Sequence, residues 1–230
     1  MKIFLKMMFL WFLFFTAISL HAETVALSEL FGLMDEKSLK AEVEASEQFL
    51  TTHPDDKTHL KRVGIAYHNL AVLEVDKASN KSHDYLQRAY EKDANDYEVL
   101  AYLGSAKTLV GRDSWRVIEK VTNVNEGIKI MDKAVLKVPD NAVIRILRAN
   151  NSLALPRFFK RRPKAKEDFL HIETLLNRHP DMLPLTIQAE IFYKLAEIFK
   201  EEENTARAGT YMNKARKVAP DFTWPKKSQH

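Results

Sequence analysis

Histidine, serine and glycine are the residue types in this sequence that could support metal-dependent, nucleophilic or phosphate-binding chemistry, and none of them has the spacing that such chemistry requires. The eight histidines form no HExxH motif or closed ligand set, and the chain has no cysteine for a thiolate site. No serine lies in a GxSxG turn, and six scattered glycines cannot form a phosphate-binding loop. The sequence therefore predicts no catalytic residue, no bound metal and no cofactor.

A segment rich in basic and aromatic residues, which we call the basic segment (residues 157–166), is the most unusual local feature. It surrounds Phe158 and Phe159 with six cations, which are Arg157, Lys160, Arg161, Arg162, Lys164 and Lys166. Such a segment could bind anionic lipid, another polyanion or an acidic partner. The alternative is a solvated loop in which the phenylalanines pack inward and the cations face water. Glu167 and Asp168, which follow directly, would then offset part of the positive charge.

The overall charge argues against nucleic acid as a partner. Lys and Arg number 35 against 31 Asp and Glu, and two of the lysines lie in the first 22 residues. Without those residues the charge is nearly balanced, so we expect no nucleic-acid partner. Arg145 and Arg148, three residues apart on one predicted helix, could hold a carboxylate or could lie in solvent.

The first 22 residues have the layout of a secretory signal peptide. Two lysines precede an apolar run from Met7 to Leu20, and the small residue Ala22 follows it. The run is shorter than the roughly 20 residues that span a bilayer as a helix. We expect cleavage after Ala22 and a periplasmic or secreted protein. The alternative is an inner-membrane anchor formed by residues 3–20.

Turn-forming residues recur along the chain at nearly constant intervals. The positions are Pro54, Ala94, Pro139, Pro180 and Pro220, which lie 40 to 45 residues apart. Such a period is typical of a helical solenoid, in which each unit buries its apolar face against the next. The last unit shows two helices, because apolar and small residues recur at every third or fourth position in AEIFYKLAEIFKEEEN and in TARAGTYMNKARKVAP.

This last unit resembles the tetratricopeptide repeat, abbreviated TPR below. With Ala189 as the first position, eight residues occupy the bulky, small and proline positions of that repeat, namely Phe192, Leu195, Ala196, Phe199, Ala208, Met212, Ala215 and Pro220. Three earlier units match less completely. The resemblance implies an all-α protein, a right-handed α-α superhelix of about four TPR-like helix pairs with N-terminal capping helices.

The predicted organisation follows from the leader and the repeat. It comprises a signal peptide at 1–22, N-terminal capping helices at 23–55, a TPR-like repeat domain at 56–222 and a C-terminal tail at 223–230. In the second unit, we expect RDSWRVIEKVTNV to add a turn of helix that packs through Trp115 and Ile118. At the end of the repeats, we expect Phe222 and Trp224 to cover the last helix pair.

The resemblance also implies where a partner binds. In this family the first helix of each unit lines a concave surface, and the corresponding partner-binding positions here are Lys61, His68, Asn69, Ser105, Asn150, Tyr193, Glu197 and Lys200. Each could equally be an ordinary solvated or packing position. The favoured hypothesis is a non-catalytic, exported scaffold that binds a protein or peptide in this groove. The alternative is a peripheral module that binds anionic lipid or a polyanion through the basic segment. The sequence indicates neither the identity of the partner nor the oligomeric state.

Overall fold

The computed structural model describes residues 30–221, which form nine α-helices joined by short turns. They are α1 (Glu36–Thr52), α2 (Lys57–Val72), α3 (Ala78–Lys92), α4 (Tyr97–Asp113), α5 (Val117–Lys137), α6 (Ala142–Ala154), α7 (Arg162–Arg178), α8 (Leu185–Glu201) and α9 (Thr205–Val218). A 3-10 helix, Arg157–Phe159, lies between α6 and α7. Residues 30–221 contain no strand, so the predicted all-α fold is confirmed. The predicted leader and the predicted contact of Phe222 and Trp224 lie outside the described residues.

Three of the recurrent turns begin the next helix with the same local chemistry. The residue two positions after the recurrent turn residue is the N-cap in each case, and these caps are Asp56, Asp96 and Asn141. Each side chain accepts a hydrogen bond from a backbone N–H in the first turn of its helix, a group that the helix itself leaves unpaired. The turn at Pro180 differs, since α8 begins after Pro184 and has no side-chain cap.

Helices α2, α4, α6 and α8 run parallel to one another and form the inner layer. At their starts, Glu98 of α4 accepts from Lys61 of α2 and from Asn141 at the N-cap of α6, both at 3.1 Å. At their ends, Arg112 of α4 donates to the Ala71 carbonyl of α2 at 2.9 Å. The starts of α2, α4 and α6 therefore lie side by side, as do the ends of α2 and α4, so these helices run in the same direction.

Helix α8 continues the same layer, because Lys194 of α8 and Asn150 of α6 are joined by a 2.8 Å hydrogen bond. It also runs in the same direction, because Glu201 at its end pairs with Arg162 at the start of α7, which follows the end of α6. The turns that follow the four inner helices consequently lie on one edge of the molecule. We call this side, with its turns at 73–77, 114–116, 155–161 and 202–204, the intra-pair edge. The turns that precede the inner helices lie on the opposite edge.

Two glycines allow α4 and α5 to approach closely. A Cβ added at Gly104 would come within 2.8 Å of the Gly127 carbonyl oxygen, and a Cβ added at Gly127 would clash with the Gly104 carbonyl oxygen. Only backbones without side chains at these two positions can pack at this distance.

The predicted extra turn of helix is present in α5, but its predicted packing is wrong. Helix α5 has 21 residues, and Gly111 near the end of α4 packs against Lys120 and Val124 of α5. The residues of α5 that precede Lys120 therefore project past the end of α4. Trp115 and Ile118 are consequently 84% and 82% exposed instead of buried.

The buried apolar side chains form two clusters, one built mainly from α1–α5 and the other from α6–α9. Phe31, in the segment that precedes α1, packs against both clusters. This N-terminal segment therefore lies across the inner layer, between the two halves of the protein.

Candidate functional site

A cavity of about 450 Å³, which we call the groove, opens on the inner face of α2, α4, α6 and α8. Aliphatic and aromatic side chains form most of its wall, and Phe31, Gly32 and Met34 of the N-terminal segment form one side. This segment belongs to the predicted capping region, and it also narrows the concave surface that the inner helices form.

Four of the eight predicted partner-binding residues line the groove, namely His68, Asn69, Ser105 and Asn150. The other four, Lys61, Tyr193, Glu197 and Lys200, are not part of its wall. Lys61 instead turns toward Asp96 and Glu98, with Nζ–oxygen distances of 2.9 and 3.1 Å.

Helix α8 presents a different face to the groove than the repeat frame predicted. The residues of α8 that line the groove are Ile187, Glu190, Ile191 and Lys194. Their spacing of three and four residues places them on one face of the helix. Tyr193, Glu197 and Lys200 lie on a neighbouring face, so the groove wall differs from the predicted one at these positions.

A buried hydrogen-bond chain links the N-terminal segment to α2 and α4. Asn69 Nδ2 donates to the carbonyl oxygens of Leu30 and Leu33 at 2.7 and 3.1 Å, so Asn69 Oδ1 is the atom that faces His68. His68 Nδ1 must then carry the proton and donate to Oδ1, while Nε2 accepts from the Ser105 hydroxyl at 2.8 Å. The chain fixes both the Asn69 orientation and the His68 tautomer.

The surroundings of His68 keep its ring neutral. Burial lowers the pKa of His68 from 6.5 to about 4, and the nearby positive charge of Arg112 acts in the same direction, although the hydrogen bond with Asn69 opposes it. A charged imidazolium is therefore excluded from the groove wall at neutral pH. His68, which the repeat frame placed among the partner-binding residues, is therefore a buried structural histidine.

Asn151 was absent from the predicted set, yet it carries the one buried, unpartnered acceptor among the described side chains that line the groove. Thr108 donates its hydroxyl to the Ser105 carbonyl, so it can only accept from Asn151 Nδ2. This arrangement directs Asn151 Oδ1 away from Thr108, and Oδ1 accepts no hydrogen bond within the described chain. A buried acceptor left without a donor is costly. A ligand N–H would remove that cost once a rotation of the Asn151 side chain brought Oδ1 to the groove surface, because the atom itself has almost no accessible area.

The neighbouring Asn150 complements this acceptor. Asn150 Oδ1 accepts from Lys194 Nζ at 2.8 Å, which leaves Nδ2 of Asn150 as a donor. Lys194 is also paired with Glu190, so these two charges largely neutralise each other at the groove wall. Arg112, the other charged residue of the wall, pairs with Asp113 at 2.7 Å. The groove therefore offers a largely apolar surface with one amide donor and one amide acceptor and with its charged groups paired, a combination that suits an uncharged backbone.

Arg145 and Arg148 do hold a carboxylate, but it is one of the protein's own. Asp168 of α7 is fully buried, and its two oxygens accept three hydrogen bonds from these arginines at 2.7 to 2.8 Å. Arg148 also donates to Asp132 at 2.9 Å. Their predicted roles as sites for an external anion, or as solvated residues, are therefore corrected, because both guanidinium groups are buried and occupied.

The basic segment is also largely neutralised by internal partners. Its close ion pairs are Arg161 with Asp132, Arg162 with Glu201, Lys164 with Glu167 and Lys166 with Glu202. The segment is not one loop, because α7 begins at Arg162. Arg157 and Lys160 remain exposed, with Phe158 69% exposed between them. Of the six cations, Arg157 and Lys160 are therefore the ones most available to an external anionic partner.

Within residues 30–221, no group of three or more His, Asp or Glu side chains is arranged to hold a metal ion. None of the helices in this part of the chain has the length and apolarity needed to cross a bilayer.

Comparison with known proteins supports the architecture. A thermophilic TPR protein from Thermus thermophilus superimposes with a TM-score of 0.61 at 16% sequence identity, over 80% of this chain and 85% of that chain. No protein-family model and no curated protein matches the sequence. The fold is that of a TPR-like helical solenoid.

Proposed function

We propose that this protein is a non-catalytic adaptor that binds an extended segment of a partner protein in the groove. The observation that carries the proposal is the buried Asn151 Oδ1, which accepts no hydrogen bond within the described chain. An extended peptide supplies the missing donor with a backbone N–H, and the Asn150 amide then donates to a backbone carbonyl.

The composition of the groove supports a peptide over a charged small molecule. Apolar side chains such as Leu109, Ile146 and Ile187 form most of the wall. Side chains of this kind accept apolar residues of a peptide, while the two asparagines bind its backbone. The four parallel inner helices hold these groups in place before binding, which limits the entropic cost of association.

The proposed place of action is outside the cytoplasm. The lysine-flanked apolar leader supports export, with the chain from Glu23 as the mature protein. The leader would alternatively retain the protein at the inner membrane through residues 3–20, and the groove would then face the periplasm.

A peptide-display library panned against the chain from Glu23 to His230 tests the proposal. We expect enriched peptides to be apolar and largely uncharged at the positions that they share. Ala154→Trp should abolish their binding, because Ala154 lines the groove at an exposed position and an indole there would fill the space.

Lys200→Trp is the matched control, because Lys200 is also exposed but lies outside the groove wall. Circular dichroism would show that both variants keep the helical fold. If Lys200→Trp abolished binding and Ala154→Trp did not, the partner would bind on the face of α8 that the sequence predicted, and the groove would not be the site.

A further inference from the structure

Three of the most exposed apolar side chains in residues 30–221 lie together at the start of α5. Trp115, Val117 and Ile118, which we call the Trp115 patch, are 84%, 73% and 82% exposed. Because the first residues of α5 project past the end of α4, the patch stands clear of the helical body. Solvent exposure of this much large apolar surface is unfavourable and marks a surface that something else covers.

The patch belongs to an edge that is apolar in several places. Val72 and Leu73, at the end of α2, and Phe158, after α6, are exposed on the same intra-pair edge. The opposite edge also has exposed apolar residues, among them Leu136 at the far end of α5.

The N-terminal segment enters the structure at this same edge. The Leu30 and Leu33 carbonyls are bound by Asn69, which lies in the last turn of α2. Nine residues separate Leu30 from the end of the apolar run at Leu20. Nine residues span at most about 30 Å. An apolar leader retained in a bilayer would therefore hold the folded domain within about 30 Å of that bilayer.

Cations accompany the apolar side chains at two of the four turns of this edge, whereas the turns at 73–77 and 202–204 carry two acidic residues each. The Arg116 guanidinium lies 5.0 Å from the centre of the Trp115 ring and also pairs with Glu119 at 2.9 Å, and Lys120 lies one turn further along α5. At the next turn of the edge, exposed Arg157 and Lys160 flank Phe158. Tryptophan and aliphatic side chains favour the headgroup region of a bilayer, and adjacent Lys and Arg favour anionic lipid.

From these features we infer that the Trp115 patch inserts into the headgroup region of an anionic phospholipid bilayer, with the intra-pair edge facing the membrane. A bilayer suits the patch because the patch projects from the body and its cations lie around the apolar side chains. The contact does not depend on the groove, and it remains possible after the leader is removed.

The test uses the chain from Glu23 to His230, which contains all the described residues and lacks the leader. With Trp224→Phe, Trp115 is the only tryptophan in this chain. Vesicles of phosphatidylcholine and phosphatidylglycerol in equal parts should shift the emission of Trp115 to shorter wavelength and should carry the protein to the top of a flotation gradient. Brominated lipid should quench the emission, and vesicles of phosphatidylcholine alone should bind less protein.

The double substitution Trp115→Ser and Ile118→Ser, made in the chain that retains Trp224, should lower the partition coefficient onto the mixed vesicles about tenfold or more. Leu136→Ser is the matched control, because Leu136 lies on the same helix and is 80% exposed at its other end. That control should bind as the parent does.

Unchanged Trp115 emission with the mixed vesicles would overturn the inference, as would equal losses in the double variant and in the control. Sedimentation of the parent chain without lipid tests a second copy as the occupant. Self-association that the double variant abolishes, together with no vesicle binding by the parent, would show that the patch is a protein interface and that the inference is wrong.

Discussion

Replacement of Asp168 by alanine should lower the free energy of unfolding by about 3 to 5 kcal/mol, the range for breaking a buried ion pair. Asp168 is fully buried, and the Arg145 and Arg148 side chains are 8% and 6% exposed. Without the carboxylate, two buried guanidinium groups lose three hydrogen bonds. Arg148 keeps Asp132, and Arg145 keeps the Pro139 carbonyl, so we expect a loss in the lower half of that range.

Urea unfolding followed by far-ultraviolet circular dichroism would measure the loss on the chain from Glu23. Glu167→Ala is the matched control, because Glu167 is the preceding residue, has a 55% exposed side chain and pairs with Lys164 on the surface, while its distance to Arg148 Nη2 is 3.8 Å, too long for a hydrogen bond. It should cost less than about 1 kcal/mol, as exposed pairs do. If Asp168→Ala cost no more than this control, Asp168 would not be the partner that the buried arginines require, and their role as sites for an external anion would be restored.

Three further predictions concern the described residues. Because folding lowers the pKa of His68 to about 4, only the unfolded chain gains a proton there as the pH falls from 6.5 to 4. The unfolding free energy should fall over this window by up to about 3 kcal/mol, and His68→Gln should remove that part of the pH dependence in urea titrations. Gly127→Ala should destabilise the protein by about 1 to 3 kcal/mol, because α5 packs on the α4 backbone there. Gly209→Ala should stabilise it by about 0.5 to 1 kcal/mol, because a methyl group at this position of α9 meets open space. Thermal unfolding measures both changes. Asn69→Leu should release the N-terminal segment, because it removes both side-chain hydrogen bonds to that segment. Hydrogen exchange would detect the release as faster exchange at the Leu33 amide.

The helices and their turns could be predicted from the sequence because their causes are local. Apolar residues repeat with the helical period, and Asp56, Asp96 and Asn141 cap helices within three residues of their own position. A regular interval between turns was then enough to indicate a solenoid. The fold class therefore depended on short-range information that the sequence displays directly.

The burial of Arg145 and Arg148 could not be predicted in this way. Their partner, Asp168, is 20 or more residues away in sequence and belongs to the next helix of the pair. In the sequence it stands beside Glu167 at the end of a basic run, where it looks like a surface charge. Trp115 is the opposite case, because its residue type indicates burial but the length of α5 relative to α4 decides its exposure.

The candidate site could be predicted only in part, because its geometry depends on residues that are far apart in the sequence. The adjacent pair Asn150 and Asn151 in one predicted helix was the available signal, and the repeat frame selected only the first of them. The orientation of Asn151 depends on Thr108, which is 43 residues away, so the unpartnered acceptor is visible only in three dimensions.

Fluorescence anisotropy of a peptide selected on the parent chain, titrated with the parent and with Asn151→Leu, tests the central claim most directly. Loss of one hydrogen bond of about 0.5 to 1.5 kcal/mol should weaken binding about two- to tenfold. Lys200→Leu is the control, because Lys200 is exposed and lies outside the groove wall, so this variant should bind within about twofold of the parent. Equal affinity of the parent and Asn151→Leu for the peptide would contradict the claim that this acceptor binds a partner in the groove.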